Sequence, residues 1–197
     1  MGSGGFFARA LRDRQRFRRG ALAMLAMALA YNIVAIFLAV LHGIPSPAPF
    51  LAIPADRYFV WAAIFYTPAL LAGWVLAAAV AQIVARRLGG SGSFEDTLAL
   101  LGHATALATL PALVPDLVIT FVQVAGWMDY APWYASVHGG GIWFWIVWAY
   151  LILYLAAFLV LYPAALRAVH SLSRQRAAVA GTIAFFVYQG FILIFIR

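Results

Sequence analysis

Five long apolar stretches divide this chain, and they constrain its fold more than any other feature. Each is long enough to cross a hydrocarbon layer, which takes about 20 apolar residues in a helix. A chain of 197 residues that is 66% hydrophobic and 10% charged cannot bury its apolar surface as a water-soluble domain. The sequence therefore predicts an all-α, polytopic membrane protein with a five-helix bundle at residues 20–197, its spans at about residues 20–41, 58–85, 97–126, 142–165 and 177–196.

The distribution of arginine predicts the topology of this bundle. All thirteen basic residues are arginines, and many lie in an arginine-rich segment at residues 1–19. Because basic residues that flank spans are retained in the cytoplasm, the N-terminus should be cytoplasmic and, after five crossings, the C-terminus external. Only Arg57 and Arg197 fall on the external side. The cytoplasmic side holds Arg9, Arg12, Arg14, Arg16, Arg18, Arg19, Arg86, Arg87, Arg167, Arg174 and Arg176.

The net charge of +7 is consistent with a membrane protein whose basic residues flank its spans. The arginines lie at span ends, where they meet anionic headgroups, so we expect contacts with membrane lipids and no nucleic-acid partner. A phosphate-binding P-loop needs a lysine, which this chain lacks, so we expect no nucleotide. Cysteine is also absent, and no Ser, His and Asp can be aligned as a triad. We therefore predict a non-enzymatic protein without a catalytic site, metal or cofactor.

The N-terminal segment allows two interpretations. Residues 3–19 can form a helix with Phe7, Leu11 and Phe17 near one face and arginines around the rest. Such a helix would lie in the inner headgroup layer. The simpler interpretation is a charged flank that only orients the first span.

A glycine-rich turn is predicted between the second and third spans, on the cytoplasmic side. Its glycines permit a tight reversal of the chain. A serine followed three residues later by an acid is typical of a helix N-cap. The turn comprises Gly89, Gly90, Gly92, Ser93 and Phe94, with Asp96 as the acid.

Two segments resemble the Yip family of Ypt-interacting proteins. One is LGGSGSF at residues 88–94, followed by Leu100-Leu101-Gly102 and later by Pro111. The other is LRAVHSLSRQRAA at residues 166–178, which is similar to the short basic connection before that family's final span. The resemblance extends over about residues 60–197.

The resemblance to the Yip family implies a five-span helical protein with a cytoplasmic N-terminus. Eukaryotic members of the family act in vesicle trafficking, with ties to prenylated small GTPases and membrane shaping. The long N-terminal region of those members, with its Asp-Leu-Tyr-Gly-Pro motif, is not in this sequence. We therefore expect a prokaryotic member of unassigned role.

A few polar residues within the spans are candidates for function, because polar groups in hydrocarbon are costly and usually face the bundle interior. They are Asn32, Gln82, His103 and Gln189. A haem or metal site would need a second ligand at helical spacing from His103, and none is present. We instead predict that a hydroxyl, amide or backbone carbonyl of a neighbouring helix hydrogen-bonds His103, and Gln82, at a comparable depth, is the candidate partner.

Two prolines and an acid interrupt the third span. Pro111, Pro115 and Asp116 predict that the helix kinks or breaks there and continues along the outer interface. In this interpretation Asp116 is the N-cap of a following segment, residues 117–128. The alternative is an ion site, since some transporters place an acid at a broken helix.

Two further patterns concern packing. Ala69, Gly73, Ala77 and Ala81 recur every four residues in the second span and predict a face on which another helix packs closely. Aromatic residues cluster at the external ends of the spans. They predict an interfacial belt, with a ligand-stacking surface as the alternative, formed by Trp61, Trp127, Tyr130, Trp133, Tyr134, Trp143 and Trp145.

These observations leave three functional hypotheses. The first is a scaffold, adaptor or membrane-organising protein that acts on other membrane proteins or as a homo-oligomer. The second is a small transporter or channel that uses Asn32, His103 and Asp116. The third is an accessory subunit of a larger membrane complex. In each case the expected location is the bacterial inner membrane.

Cysteine labelling tests the predicted topology, and the chain has no native cysteine to interfere. We expect Arg87→Cys to react with a membrane-impermeant maleimide only after the membrane is opened, and His138→Cys to react in intact cells. Labelling of position 138 from the cytoplasmic side alone would refute this topology.

Overall fold

The computed structural model describes residues 4–45 and 51–195, and within them it contains helices and no strand. Residues 1–3, Ile196 at the end of the predicted fifth span, and Arg197 lie outside the described residues. Five helices are long and apolar enough to cross a membrane, which confirms the predicted all-α, five-span fold. In chain order the helices are α1 (Gly4–Arg12), α2 (Arg16–Val40), α3 (Tyr58–Arg87), α4 (Phe94–Val124), α5 (Tyr130–His138), α6 (Ile142–His170) and α7 (Arg174–Phe195); a 3₁₀ helix, Ala55–Arg57, precedes α3.

The two ends of the bundle differ in composition. We call one the arginine end, where α1 lies, α2, α4 and α7 begin, and α3 and α6 finish. At the opposite end, the aromatic end, α5 connects α4 to α6. Six of the seven tryptophans lie toward the aromatic end, and Trp74 in the middle of α3 is the exception.

At the arginine end the helices extend beyond the predicted spans, whereas at the aromatic end α2 and α4 finish one and two residues short of them. α2 begins at Arg16 rather than at residue 20, and α6 continues to His170 rather than ending at residue 165. α4 has 31 residues. At about 1.5 Å per residue it is about 46 Å long, against a hydrocarbon thickness of about 30 Å. Polar residues at the span ends thus belong to the helices.

The sequence predicts a kink or a break in the third span, and the break is wrong, because α4 runs without interruption through Pro111 and Pro115. Asp116 is therefore an interior helical residue and does not cap a new segment. Each proline removes one backbone hydrogen bond. Leaving the helix at this depth would instead expose several unpaired peptide groups, so continuation has the lower free energy.

Glycine allows helix backbones to meet at two crossings. A Cβ atom on Gly102 of α4 would lie 2.7 Å from the carbonyl oxygen of Gly20 in α2, and one on Gly20 would overlap the carbonyl of Ala99. A Cβ on Gly181 of α7 would lie 2.6 Å from the nitrogen of Pro163 in α6. α2 and α4, and α6 and α7, are therefore in backbone contact.

The small-residue face of α3 packs on α7. Ala69, Ala77 and Ala81 are buried. A Cβ on Gly73 would lie 3.0 Å from the Cδ1 of Ile192. The atoms near Gly73 belong to side chains and not to the backbone, so this contact is less constrained than the backbone contacts above.

The N-terminal helix α1 covers the arginine end instead of lying apart from the bundle. It packs against α6 and α4. Phe7 is 1% exposed and belongs to the same buried cluster as Leu101 and Leu166. The expectation that Phe17 shares the face of Phe7 is wrong, because Phe17 lies in α2 and is exposed. The side chain of Asp13 secures the connection by pairing with Arg19 at 2.6 Å.

Substitution of Gly102 by alanine tests the backbone contact between α2 and α4. A methyl group would press on the carbonyl oxygen of Gly20, which cannot move alone. Overpacking costs about 1–3 kcal/mol, and we expect the upper part of this range, a melting temperature about 5 °C or more below wild type in detergent.

Gly190→Ala is the matched control for this test. Gly190 lies within α7, and a Cβ atom added there would have no neighbour within 4 Å. Alanine also favours the helix over glycine. We expect an unchanged or slightly raised melting temperature. Equal behaviour of the two variants would contradict close contact at Gly102.

Candidate functional site

A ring of hydrogen bonds joins three helices at the arginine end. His170, the last residue of α6, is 1% exposed. Its Nδ1 accepts from the backbone N–H of Gly92 at 3.1 Å, and its Nε2 lies 2.9 Å from the hydroxyl of Thr97. That hydroxyl donates to Gln82 Oε1 at 2.7 Å, and Gln82 Nε2 donates to the carbonyl of Gly92 at 3.0 Å. We call Gln82, Gly92, Thr97 and His170 the turn cluster.

The glycines of the turn are required by its contact with the end of α6. A Cβ on Gly90 would lie 2.8 Å from the Cβ of His170, and one on Gly92 would lie 2.6 Å from the carbonyl oxygen of Val169. Gly89 adopts a positive φ of 90°, which glycine tolerates best. The sequence LGGSGSF thus provides a turn that is flat enough to meet α6.

Ser93 begins α4 in the way the sequence predicts. It is the N-cap, and its hydroxyl accepts from the backbone N–H of Asp96 at 3.1 Å. The carboxylate of Asp96 also pairs with Arg16 of α2. Phe94, the first residue of α4, is exposed. The cap therefore links the turn to the start of the first span as well.

The geometry of the turn cluster specifies one form of His170. Because Nδ1 accepts a hydrogen bond from Gly92, the proton of the neutral ring must be on Nε2. Nε2 then donates to Thr97, whose own proton is directed to two acceptors, Gln82 Oε1 and the carbonyl oxygen of Ser93. If the ring were protonated to an imidazolium, Nδ1 would carry a proton. Two N–H donors would then face each other, and the N–H of Gly92 would lose its acceptor. The charged side chains that interact electrostatically with the ring are those of Arg86 and Asp96.

The predicted hydrogen bond between His103 and Gln82 is wrong, because Gln82 is engaged in the turn cluster. His103 is half-buried and faces α1, where its ring meets Phe6 edge-on with the centroids 6.0 Å apart. The two residues line a hollow with Arg9, Ala10, Asp13, Arg16 and Arg19. The prediction failed because α1 folds back on α4, which the sequence pattern did not show.

An aromatic-lined cavity of about 570 Å³ lies at the opposite end, lined mainly by α5 and α6 with residues of α2, α3 and α4. The carboxylate of Asp116 lines it and accepts a hydrogen bond from the hydroxyl of Tyr150 at 3.0 Å. We call it the aromatic cavity. Its other ring-bearing residues are Phe59, Tyr130, Trp133, Tyr134, His138, Phe144 and Trp148.

The short helix α5 forms one wall of the aromatic cavity. The hydroxyl of Tyr130 accepts from the backbone N–H of Ile44 at 3.0 Å and so ties α5 to the segment after α2. Burial raises the pKa of the Tyr130 phenol above its ordinary value, which keeps it protonated. His138 Nδ1 lies 2.9 Å from the carbonyl oxygen of Tyr134. Part of the expected interfacial belt, namely Tyr130, Trp133 and Tyr134, thus lines a partly open cavity.

The three residues of the transport hypothesis do not meet. Asn32 donates to the carbonyl of Ala63 in α3 at 2.9 Å. His103 lies at the arginine end and Asp116 at the aromatic cavity. In the described part of the chain they therefore form no common polar path.

Large side chains fill the bundle between the two ends. Phe158, Tyr162 and Tyr188 are almost fully buried and pack as a cluster between α6 and α7. Polar groups here pair with their nearest neighbours: the hydroxyls of Tyr162 and Thr105 are 2.8 Å apart, and Gln189 donates to Tyr154 at 2.7 Å. The aromatic cavity is thus separated from the arginine end by packed side chains.

Comparison with protein families agrees with this architecture. The family model of the Yip1 domain matches residues 3–196, essentially the whole chain. The chain belongs to the Yip1 domain family. The match includes α1 and α2, so it extends beyond the resemblance at residues 60–197. No curated protein and no solved structure matches the chain significantly.

The two Yip-like segments are far apart in the sequence but meet in the turn cluster. Gly92 belongs to the first segment and His170 to the second, and they are directly hydrogen-bonded. Sequence reasoning missed His170 and Thr97 because spacing alone does not show that the end of α6 reaches this turn. Shared membership in the two segments was the signal that could have found the contact.

Replacement of His170 tests the turn cluster. His170→Leu would leave the N–H of Gly92 without its acceptor, at a cost of about 1–3 kcal/mol for a buried group left unsatisfied. Thr97 would lose its contact with the ring but keep Gln82 and the carbonyl of Ser93 as acceptors. We expect a clear fall in melting temperature in detergent. His103→Gln is the control and should cost little, since His103 is only half-buried. If His103→Gln lowered the melting temperature more than His170→Leu, the turn cluster would not be the more important polar contact at the arginine end.

Proposed function

We propose that this multi-pass membrane protein of the Yip1 domain family is a non-enzymatic scaffold or adaptor that organises the membrane or its proteins. The observation that favours this role is the packed interior. The three residues of the transport hypothesis are separate, and large aromatic side chains occupy the space between the two ends. A solute path would need aligned polar groups, so surfaces are the better candidates for function.

The arginine end is the surface that best suits an organising role. Within residues 4–45 and 51–195 the ion pairs are Arg16 with Asp96 and Arg19 with Asp13. Most arginines at this end therefore have no acidic partner among the described residues. Each basic residue near an anionic surface contributes about 1 kcal/mol of attraction. We propose that anionic headgroups contact this end.

The same charges support the proposed orientation and location. With the arginine end in the cytoplasm, the N-terminus is cytoplasmic and the C-terminus is external. The bacterial inner membrane is the proposed location. α1, which closes the arginine end through Phe7, would then present its arginines to the inner leaflet or to cytoplasmic partners.

Isolation from native membranes tests the proposal. The tagged protein, expressed at its native level, is extracted in polymer nanodiscs, and co-isolated proteins and lipids are quantified against an unrelated five-span protein. We expect a reproducible set of enriched membrane proteins and an excess of anionic lipid. A triple variant, Arg12→Gln, Arg14→Gln and Arg18→Gln, removes arginines outside the two ion pairs and should lower the anionic-lipid excess.

The transport alternative has its own signature. Proteoliposomes that show solute flux, with the flux abolished by Asp116→Asn, would contradict the proposed role. Recovery of the same proteins with the unrelated control would also contradict it.

A further inference from the structure

The carboxylate of Asp116 has little compensation for its position in the bundle. It lies eight residues before the end of α4, which is about 12 Å along the helix axis. Within the described residues it receives a hydrogen bond from Tyr150 and takes part in neither ion pair. An acid at this depth is costly unless it is paired. The aromatic cavity that it lines is the space from which a partner can come.

The walls of the cavity select the type of partner. Tyrosine, tryptophan and phenylalanine rings line the cavity together with the carboxylate, and the faces of such rings attract cations with little hydration. A divalent metal ion would need several oxygen or nitrogen ligands. The described residues contain no group of three His, Cys, Asp or Glu side chains that could hold one. The chemistry therefore favours an organic ammonium group.

The surroundings of the cavity indicate where the ammonium comes from. A second, almost entirely apolar hollow lies beside it along α6 and shares Phe144 and Trp148 with it. Its other residues are Trp145, Ala149 and Ile152, of which Trp145 and Ile152 are among the exposed apolar side chains. An apolar hollow on the outer face of a span suits an acyl chain. The two hollows together match a headgroup joined to a hydrocarbon tail.

We propose that the aromatic cavity binds the ammonium headgroup of an amine-bearing phospholipid, with Asp116 as the counter-ion and an acyl chain along α6. The volume of about 570 Å³ is sufficient, since small-molecule sites span about 300–1,000 Å³. Tyr150 holds the carboxylate in place, and the rings of α5 and α6 surround the ammonium. This site is independent of the organising role proposed for the arginine end.

Lipid titration of the purified full-length protein tests the site. The probes are dioleoyl phosphatidylethanolamine and dioleoyl phosphatidylglycerol, which differ in headgroup, and binding is followed by native mass spectrometry. We expect Asp116→Asn to weaken binding of phosphatidylethanolamine about tenfold, equivalent to about 1.4 kcal/mol, and to leave phosphatidylglycerol binding unchanged. Asparagine can still accept the hydrogen bond from Tyr150, so the fold should persist.

Matched variants separate this site from other lipid contacts. Trp148→Leu removes a ring shared by both hollows and should weaken phosphatidylethanolamine binding severalfold, whereas Trp127→Leu, 77% exposed and outside both hollows, should not. The triple arginine variant should weaken phosphatidylglycerol binding alone. Melting temperatures without added lipid verify that each variant is folded.

Two results would overturn the inference. Folded Asp116→Asn protein that binds phosphatidylethanolamine like wild type would show that the carboxylate is not the counter-ion. Free ethanolamine that displaces the lipid with the same affinity as phosphatidylethanolamine itself would show that the acyl chain makes no contribution. Retained arginine-end binding in either case would leave the organising role unaffected.

Discussion

A chain in hydrocarbon must satisfy its backbone hydrogen bonds within its own helices, and the path of α4 depends on this constraint. Two prolines lie in its interior, yet the helix continues from Phe94 to Val124. Its first turns meet α2 and the turn cluster, and its last turns carry Asp116 to Tyr150 of α6. A break at Pro111 would have separated these contacts. The arrangement of both ends of the bundle therefore follows from one uninterrupted helix.

The features that could be predicted from sequence are those determined by local or averaged properties. Long apolar stretches give five helices, and Ser93 followed by Asp96 gives a cap, because each depends on residues that are close in the chain. The small-residue face at Gly73 also follows from helical periodicity. The expected partner of His103 and the expected role of Asp116 were wrong. Both depend on which helices become neighbours. The five apolar spans have similar compositions, so short sequence patterns do not show which span packs on which.

The turn cluster shows how long-range packing can nevertheless leave local traces. Glycines at positions 90 and 92 are explained by contact with Val169 and His170, almost eighty residues later. A flexible turn would not need them so close to another helix. The two glycines are therefore evidence of the contact between the turn and the end of α6, which neither segment shows when it is considered alone. The Yip1 domain family match is consistent with this, since it covers both segments within one unit.

The two ends of the bundle use polar groups in opposite ways. At the arginine end, His170, Thr97 and Gln82 satisfy one another, and backbone contacts at Gly20 and Gly102 hold the helices together. A network in which every member is paired rigidifies a structure and offers little to a ligand. At the aromatic end, one carboxylate has a single neutral donor and borders a partly open cavity. A carboxylate with one neutral donor leaves electrostatic binding energy for a cationic ligand at the aromatic cavity. The turn cluster, in contrast, fixes the positions of the helices and leaves the binding of anionic headgroups to the arginines around it.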